Sequence, residues 1–467
     1  MMTKIYGFLT ILIGSLILMT AASSAQTKEP FQDVAHEILK DSIAMRTVKG
    51  YGQVPKLANY LKDRFIKAGF AEDDIMLIPH EETMALIARY RGDGSSQKKA
   101  MLLSSHMDVV EALPEDWQRD PYTLIEENGF FYGRGVNDTK LSVATLVATM
   151  LRLKSEGFVP SRDIILALSG DEETYMTTTK LMSTKYRDAI DAEFAIIADG
   201  GGGQLSEEGV ATSFSVDGAE KTYVTFEVTA RNPGGHSSLP RKDNAIYDMT
   251  RALGKLEAHS FSVLYSDLTL AYFAKAAPMV GGEVGAAMTA FSKNPKDLKA
   301  VKILRDYPEY GGITGTTCVT TMLSAGHAEN ALPQSAMATV NCRVFPGVSI
   351  EEIKAELQQV MDNDSFEWAI YDSTQESDAS PMRADIFEAV ERAVHAEYPN
   401  IPIIPHMALG ASDGSYFRAA GIPSYALTGI FIKSSDEFSH GLNERVPQQS
   451  LPTSMRLWYS LLTELAG

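Results

Sequence analysis

The sequence predicts an α/β protein with a mainly parallel sheet, helices on both of its faces, and a smaller inserted α/β sandwich. Three observations predict it. Short apolar runs of the buried-strand kind alternate with helical patterns up to residue 198, the order that builds a parallel sheet under helices. Near residue 211 the rhythm changes to the alternation of half-buried strands. From about residue 381 helices and short strands of the first kind return, so the first layer is interrupted and then completed.

Taken in order, residues 1–25 read as a signal peptide. Lys4 supplies the positive start, residues 8–19 a short apolar run, and residues 21–25 (AASSA) a small-residue cleavage region. The run falls short of the roughly 20 residues of a spanning helix. The expectation is export to the periplasm or the exterior, with no stable membrane association after cleavage. Residues 26–214 form the first part of the main domain. Within it 31–70 is helical, AMLLS at 100–104 is a strand, 141–153 is a helix, and DIILALS (163–169) and EFAIIA (193–198) are strands. Residues 215–380 form the insert, with strand signals at 221–230, 317–324 and 336–345 and a helix over 243–258. The stretch 259–312 is a long elaboration of the insert, helical around 262–292 and 296–306. Residues 381–467 complete the first domain.

Composition bounds the partners. The chain has 467 residues, 42 basic and 60 acidic, for a formal charge of −18. That excess of acid argues against a nucleic-acid partner, which needs a basic surface. The two cysteines, Cys318 and Cys342, lie on neighbouring strand-like runs. A disulfide and two unpaired thiols both fit.

The chemistry follows the strands. After AMLLS comes Ser105-His106-Met107-Asp108, after DIILALS comes Gly170-Asp171-Glu172-Glu173, and after EFAIIA comes Asp199. Ligands of open α/β sheets bind at the carboxyl ends of strands, and here such ends deliver imidazole and carboxylates to one rim. These are ordinary Zn²⁺ ligands. His106 and Asp108, two residues apart, point the same way on extended backbone, so Asp108 can orient the imidazole. Adjacent Glu172 and Glu173 can divide metal binding and proton transfer. Singly, a Glu-Glu pair is most often a solvated loop; the shared placement raises these residues together. His36, His259 and His395 sit in helical surface patterns, His80 and His327 in turns, and His406 lies near a glycine loop.

Residues 100–108, YGRGVNDTK at 132–140, SGDEE at 169–173 and FSHGLNE at 438–444 together resemble the zinc aminoacylase and carboxypeptidase family. That family includes acetylornithine deacetylase, succinyl-diaminopimelate desuccinylase, carnosinase and glutamate carboxypeptidase. The form of the insert is most similar to the carboxypeptidase S and N-acyl-amino-acid hydrolase branch. The resemblance implies a zinc exopeptidase-like main domain with an inserted lid and dimerisation domain. It implies two Zn²⁺ per chain, or Co²⁺ or Mn²⁺ in their place, bridged by Asp138. His106 and Asp199 would complete one site, and Glu173 and His440 the other. Glu172 would be the general base and Asp108 the orienting carboxylate. Asn137 and Thr139 flank Asp138 where relatives often carry a second acid. GGHSS at 234–238 resembles the lid signature whose histidine, here His236, polarises the scissile carbonyl in a partner's site, which implies a homodimer through the insert. Asn330, Arg343, Gly410 and Ser412 are the substrate-binding candidates, Arg343 by forking onto a carboxylate and the 410–414 loop by its N–H groups. The implied reaction is cleavage of an amide bond in a small peptide, of carboxypeptidase or dipeptidase type. The alternatives are deacylation of an N-acyl amino acid and an idle binding protein of the same fold.

Overall fold

Two amphipathic helices open the structured chain. Gln32–Ala44 buries Ala35, Ile38, Leu39, Ser42 and Ile43, a spacing that makes one apolar stripe. Val54–Lys67 does the same with Leu57, Ala58, Leu61 and Phe65. Gly50 and Gly52, both with positive φ, lie between them and divide the helix expected over 31–70 into two. The computed structural model describes residues 28–467, so the signal segment expected at 1–25 lies outside the described residues.

The centre of the large sheet is parallel. Ile164–Ser169, Ala100–His106, Ala192–Ile197 and Ser424–Ala426 lie side by side in that order. The first three are buried over nearly their whole length, so their sequences run apolar without alternation. Antiparallel strands extend both edges, with Thr83–Tyr90 and Ile75–His80 on one side. Ala211–Glu220 and Gly202–Leu205 lie on the other. Side chains alternate between the two faces. Met101 and Leu103 pack under Gln32–Ala44, Leu141–Ser155 and Ser450–Ala466, around buried Trp458. Ala100 and Leu102 pack under Met182 and Phe417 of the opposite helices. Pairing sets His106 opposite Ser169 and Ser104 opposite Ile197, so the segments after these three strands leave the sheet at one rim.

Only Lys221 separates Ala211–Glu220 of the large sheet from Thr222–Arg231 of a second sheet. That sheet is antiparallel, in the order Thr317–Ala325, Ser335–Val344, Thr222–Arg231, Glu367–Ser373. Helices Ala245–Ala258 and Ile350–Met361 cover one face. Cys318 and Cys342 face each other across the first pair and are joined by a disulfide. Glu367–Ser373 is exposed at nearly every position, so no burial rhythm marks it in the sequence. The 259–312 elaboration forms helices Asp267–Val280, Gly282–Lys293 and Leu298–Arg305. Their core of Phe273, Met288, Phe291 and Leu304 packs on Ala219 and Met407 of the large sheet as well as on Phe345 of the insert. The elaboration thus packs on both the insert and the large sheet, and Val319, Met322 and Leu323 are exposed on the insert's edge strand. Among the described residues no helix is long and apolar enough to cross a membrane.

One buried ion pair ties distant segments of the large domain. Arg134 and Glu444, 310 residues apart, meet at 2.7 Å with almost no exposure. Glu444 also accepts the backbone N–H groups of Gly135, Asn137 and Asp138 at 2.8–3.1 Å. Arg134 donates to the carbonyls of His440 and Gly441. Removing one partner leaves a buried charge uncompensated, which costs about 3–5 kcal/mol. Glu444→Ala should therefore lower the unfolding free energy measured by urea denaturation at pH 7 by an amount of that order; an unchanged value would show that the two loops hold without the pair.

Candidate metal centre

His106 ends its strand fully buried. Its Nε2 lies 2.9 Å from Asp138 Oδ1 and 3.9 Å from Asp199 Oδ2. The other Asp138 oxygen faces His440 Nε2 at 3.1 Å, and His440 Nε2 also lies 3.0 Å from Glu173 Oε1. Asp138 thus stands between the two imidazoles, one oxygen toward each. The loop carrying it is the one Glu444 holds by three N–H groups. His440 adopts φ 61°, a left-handed conformation costly for a residue with a Cβ, and Arg134 fixes its carbonyl.

Asp108 stands beside His106 and also holds the acid pair. His106 Nδ1 meets the backbone carbonyl of Asp108 at 3.0 Å, while the nearer Asp108 carboxylate oxygen is 3.6 Å away. That carboxylate accepts the N–H groups of Glu172 and Glu173 at 3.1 and 3.0 Å. It therefore positions the acid pair as well as standing beside the histidine. Lys140 turns away from the acids, donating to the carbonyls of Ser42 and Met45 at 2.8 and 2.9 Å. Burial pushes its ammonium down to about 7.

Charge at this rim is unbalanced. Burial pushes the Glu172 carboxyl well above the usual range, and Asp199, Asp413 and Glu173 add repulsion against the pull of His106. Asp199 moves the same way, from burial first and then Asp138 and Asp413. Burial works against Asp138 too, but its bonds to His106 and His440 hold it well below the ordinary carboxylate range. The bonds of His440 to Asp138 and Glu173 push its imidazole up to about 10. A divalent cation would supply the positive charge that a cluster of this sign calls for. Two donor groups have their ligand atoms within 4.8 Å of one another: His106 with Asp138 and Glu173, and His106 with Glu172 and Asp199. Imidazole nitrogen and carboxylate oxygen suit Zn²⁺, so the residues fit a metal.

Other expected residues lie apart from this cluster. His236 is exposed on the short strand Gly235–His236, paired with Ala331–Leu332, and its Nδ1 accepts the Ser238 N–H at 3.2 Å. Asn330 is beside it, its carbonyl accepting the Ser237 N–H. Arg343 donates to the Leu409 carbonyl at 3.2 Å and has no carboxylate partner among the described residues. Gly410 is exposed with open space around it. The Ser412 N–H and hydroxyl both donate to Glu220 at 2.7 Å, and the Gly414 N–H goes to the Ser412 hydroxyl. The loop expected to offer N–H groups to a substrate thus uses these two internally.

Sequence reasoning passed over Asp413 and Glu444. Buried Asp413 accepts the hydroxyls of Ser169 and Thr179 behind the cluster, and burial pushes its carboxyl up to about 6. The signal available was an aspartate within the very loop weighed for its glycines.

Residues 102–464 match the model of "Peptidase family M20/M25/M40". The N-fatty-acyl-amino acid synthase/hydrolase PM20D1 of Xenopus tropicalis is 25% identical over 406 residues, 83% of this chain and 76% of that protein. The probable carboxypeptidase S-like 2 of Dictyostelium discoideum is 26% identical over 388 residues, 81% of this chain and 74% of that protein. Among solved structures, the M20 family metallo-carboxypeptidase Sso-CP2 from Sulfolobus solfataricus has the same fold, with a TM-score of 0.65 at 18% identity over 92% of this chain and 98% of that one. The chain belongs to the M20/M25/M40 peptidase family and is an enzyme of that family.

Proposed function

We propose that the protein is an exported amide hydrolase that uses two Zn²⁺ ions, with Glu172 as general base, and releases an amino acid as the leaving amine. The observation that carries the reading is Asp138 with one oxygen toward each of two imidazoles, inside a cluster of buried carboxylates. Bound divalent cations would polarise the scissile carbonyl and acidify the attacking water. His106 and Asp199 would hold one ion, Glu173 and His440 the other, and Asp138 both. Asp108, through two N–H groups, keeps Glu172 and Glu173 at their places. Glu172 would take a proton from the water and deliver it to the departing nitrogen. A carboxypeptidase or dipeptidase cut and the deacylation of an N-acyl amino acid both fit this chemistry. The relative named as an N-fatty-acyl-amino acid hydrolase favours the second, and the relative named carboxypeptidase S-like favours the first. The Cys318–Cys342 disulfide supports an oxidising compartment.

His236 makes no contact with the cluster of its own chain among the described residues, which supports a role in a partner's site. The exposed apolar side chains of the insert's outer strands, Val319, Met322 and Tyr371, offer a surface for an isologous dimer. In a closed dimer His236 would donate to the carbonyl oxygen as negative charge grows there.

Two substitutions separate the metal from the proton. Asp138→Asn should reduce bound Zn²⁺ below two per chain by elemental analysis. Glu172→Gln should keep both ions while turnover on dipeptides or N-acyl amino acids falls by roughly two orders of magnitude or more. Full metal content in the first, or near-normal turnover in the second, overturns the assignment. For the lid, inactive His236→Ala and Glu172→Gln chains mixed under subunit exchange should regain activity, because a hybrid dimer holds one complete site. No recovery despite proven exchange would place His236 outside catalysis in trans. For export, the mature protein isolated from its native cell should begin near Gln26 by intact mass; a retained apolar segment would refute cleavage.

A further inference from the structure

The loop that carries His440 comes from a distant part of the chain and is held against the cluster on two sides. On the far side of the histidine, Arg134 takes the carbonyls of His440 and Gly441. On the near side stands Asn137. Its side-chain amide donates to the two carboxylate oxygens of Glu437 at 2.9 and 3.0 Å and to the Ser439 hydroxyl at 2.7 Å. Chemistry fixes its orientation, because a carboxylate only accepts and the amide must turn its NH2 toward it. Glu437 closes the group by accepting the Ser439 N–H at 2.9 Å and the Ser439 hydroxyl at 2.6 Å. Asn137 immediately precedes Asp138, and Ser439 immediately precedes His440. The bridge thus joins the neighbours of two expected metal ligands. Its main-chain end is anchored, since the Asn137 N–H goes to buried Glu444 at 2.8 Å.

The expected ligands depend on this bridge unequally. His106 ends a strand of the large sheet, and Asp199 follows another, where the Ala198 N–H still goes to the Ser104 carbonyl. The Glu173 N–H goes to Asp108. His440 sits in a turn instead, left-handed at φ 61°, with its side chain about half exposed. An imidazole on such a turn loses its aim when the turn shifts. The Asn137 bonds border a cavity of about 390 Å³ that Asp138 and Asp199 also line, so water competes for each of them. Their strength is that Asn137, Glu437 and Ser439 bond one another in a closed group, so the turn moves only if several bonds break together.

We propose that Asn137 and Glu437 are positioning residues for one of the two metal ions: their bridge sets the turn of His440 where His440, Glu173 and Asp138 can hold an ion together. The proposal rests on the two-metal reading given above. It predicts an unequal effect, with the ion of His440 weakened when the bridge is broken and the ion of His106 and Asp199 kept.

The test exchanges the charge across the bridge and reads metal binding without turnover. Asn137→Asp keeps the size of the side chain and sets two carboxylates face to face. Adding Glu437→Gln restores the bridge with donor and acceptor reversed, because the new amide donates to the new carboxylate. Metal-free wild-type protein titrated with Zn²⁺ against a chelating indicator should take two ions. Asn137→Asp should weaken one of them by about tenfold or more, as the loss of an outer contact to a metal site does, and leave the other nearly unchanged. The double variant should recover most of that loss. If charge alone mattered, the carboxylate added by Asn137→Asp would tighten the ions instead. With Co²⁺ in place of Zn²⁺, the visible absorption of the affected ion should change in the single variant and return in the double one. The Tm of the metal-free chains checks that all are folded. If Asn137→Asp does not fold, Asn137→Ala, which only removes the amide, is expected to weaken the same ion. Unchanged or tighter binding in the folded single variant, equal weakening of both ions, or no recovery in the folded double variant would overturn the proposal. A wild-type chain that takes fewer than two ions would overturn the two-metal reading itself, and the proposal with it.

Discussion

Uncompensated negative charge at the carboxyl ends of three parallel strands is the constraint around which the large domain is organised. Asp108, Asp138, Glu172, Glu173, Asp199 and Asp413 converge there with His106 and His440 as their cationic neighbours. In a buried site such charges repel strongly, and the raised carboxyls of Glu172 and Asp199 register it. The protein could relax by moving these groups apart. It does not, because hydrogen bonds hold several of them in place. Asp108 is bound to the Glu172 and Glu173 amides, and the loop of Asp138 is bound to Glu444. A fold that keeps acids together against their repulsion is built around a cation.

The Arg134–Glu444 pair is how the chain does this across distance. Asp138 follows one strand of the first segment, whereas His440 arrives only after the insert and most of the second segment. Both loops are irregular, and the strands that flank them, Phe130–Tyr132 and Arg445–Pro447, pair antiparallel with Tyr132 opposite Arg445. Glu444 takes three N–H groups of one, and Arg134 takes two carbonyls of the other, so this buried pair, with the ladder and the Asn137 bonds to Glu437 and Ser439, holds Asp138 and His440 together. A solvent-exposed pair in this place would be worth too little to fix the left-handed His440.

What the sequence made legible follows from range. The parallel core was readable because strands buried on both faces spell continuous apolar runs, and His106, Glu172, Glu173 and Asp199 were readable because they follow those runs directly. Glu444 was part of a motif, but its partners lie 310 residues away, and no local pattern announces that. Asp413 was hidden for the same reason: its partners Ser169 and Thr179 are separated from it by 244 and 234 residues. The strand Glu367–Ser373 was invisible because exposure removes the alternation that marks strands. The elaboration's helices were readable from apolar spacing, yet their packing partner was not, since Ala219 and Met407 look like any other core residues in sequence.

That packing partner bears on how the two domains work together. The insert joins the large sheet through Lys221 on the way out and through the segment after Ser373 on the way back, where the Ser380 N–H donates to the Gly218 carbonyl. Two adjacent links are the geometry of a hinge, and the role proposed for His236 would require the insert to move about it. The elaboration, however, packs on both sides of that hinge, on Ala219 and Met407 and on Phe345. Any closing motion must therefore slide or deform this third helical body along with the lid.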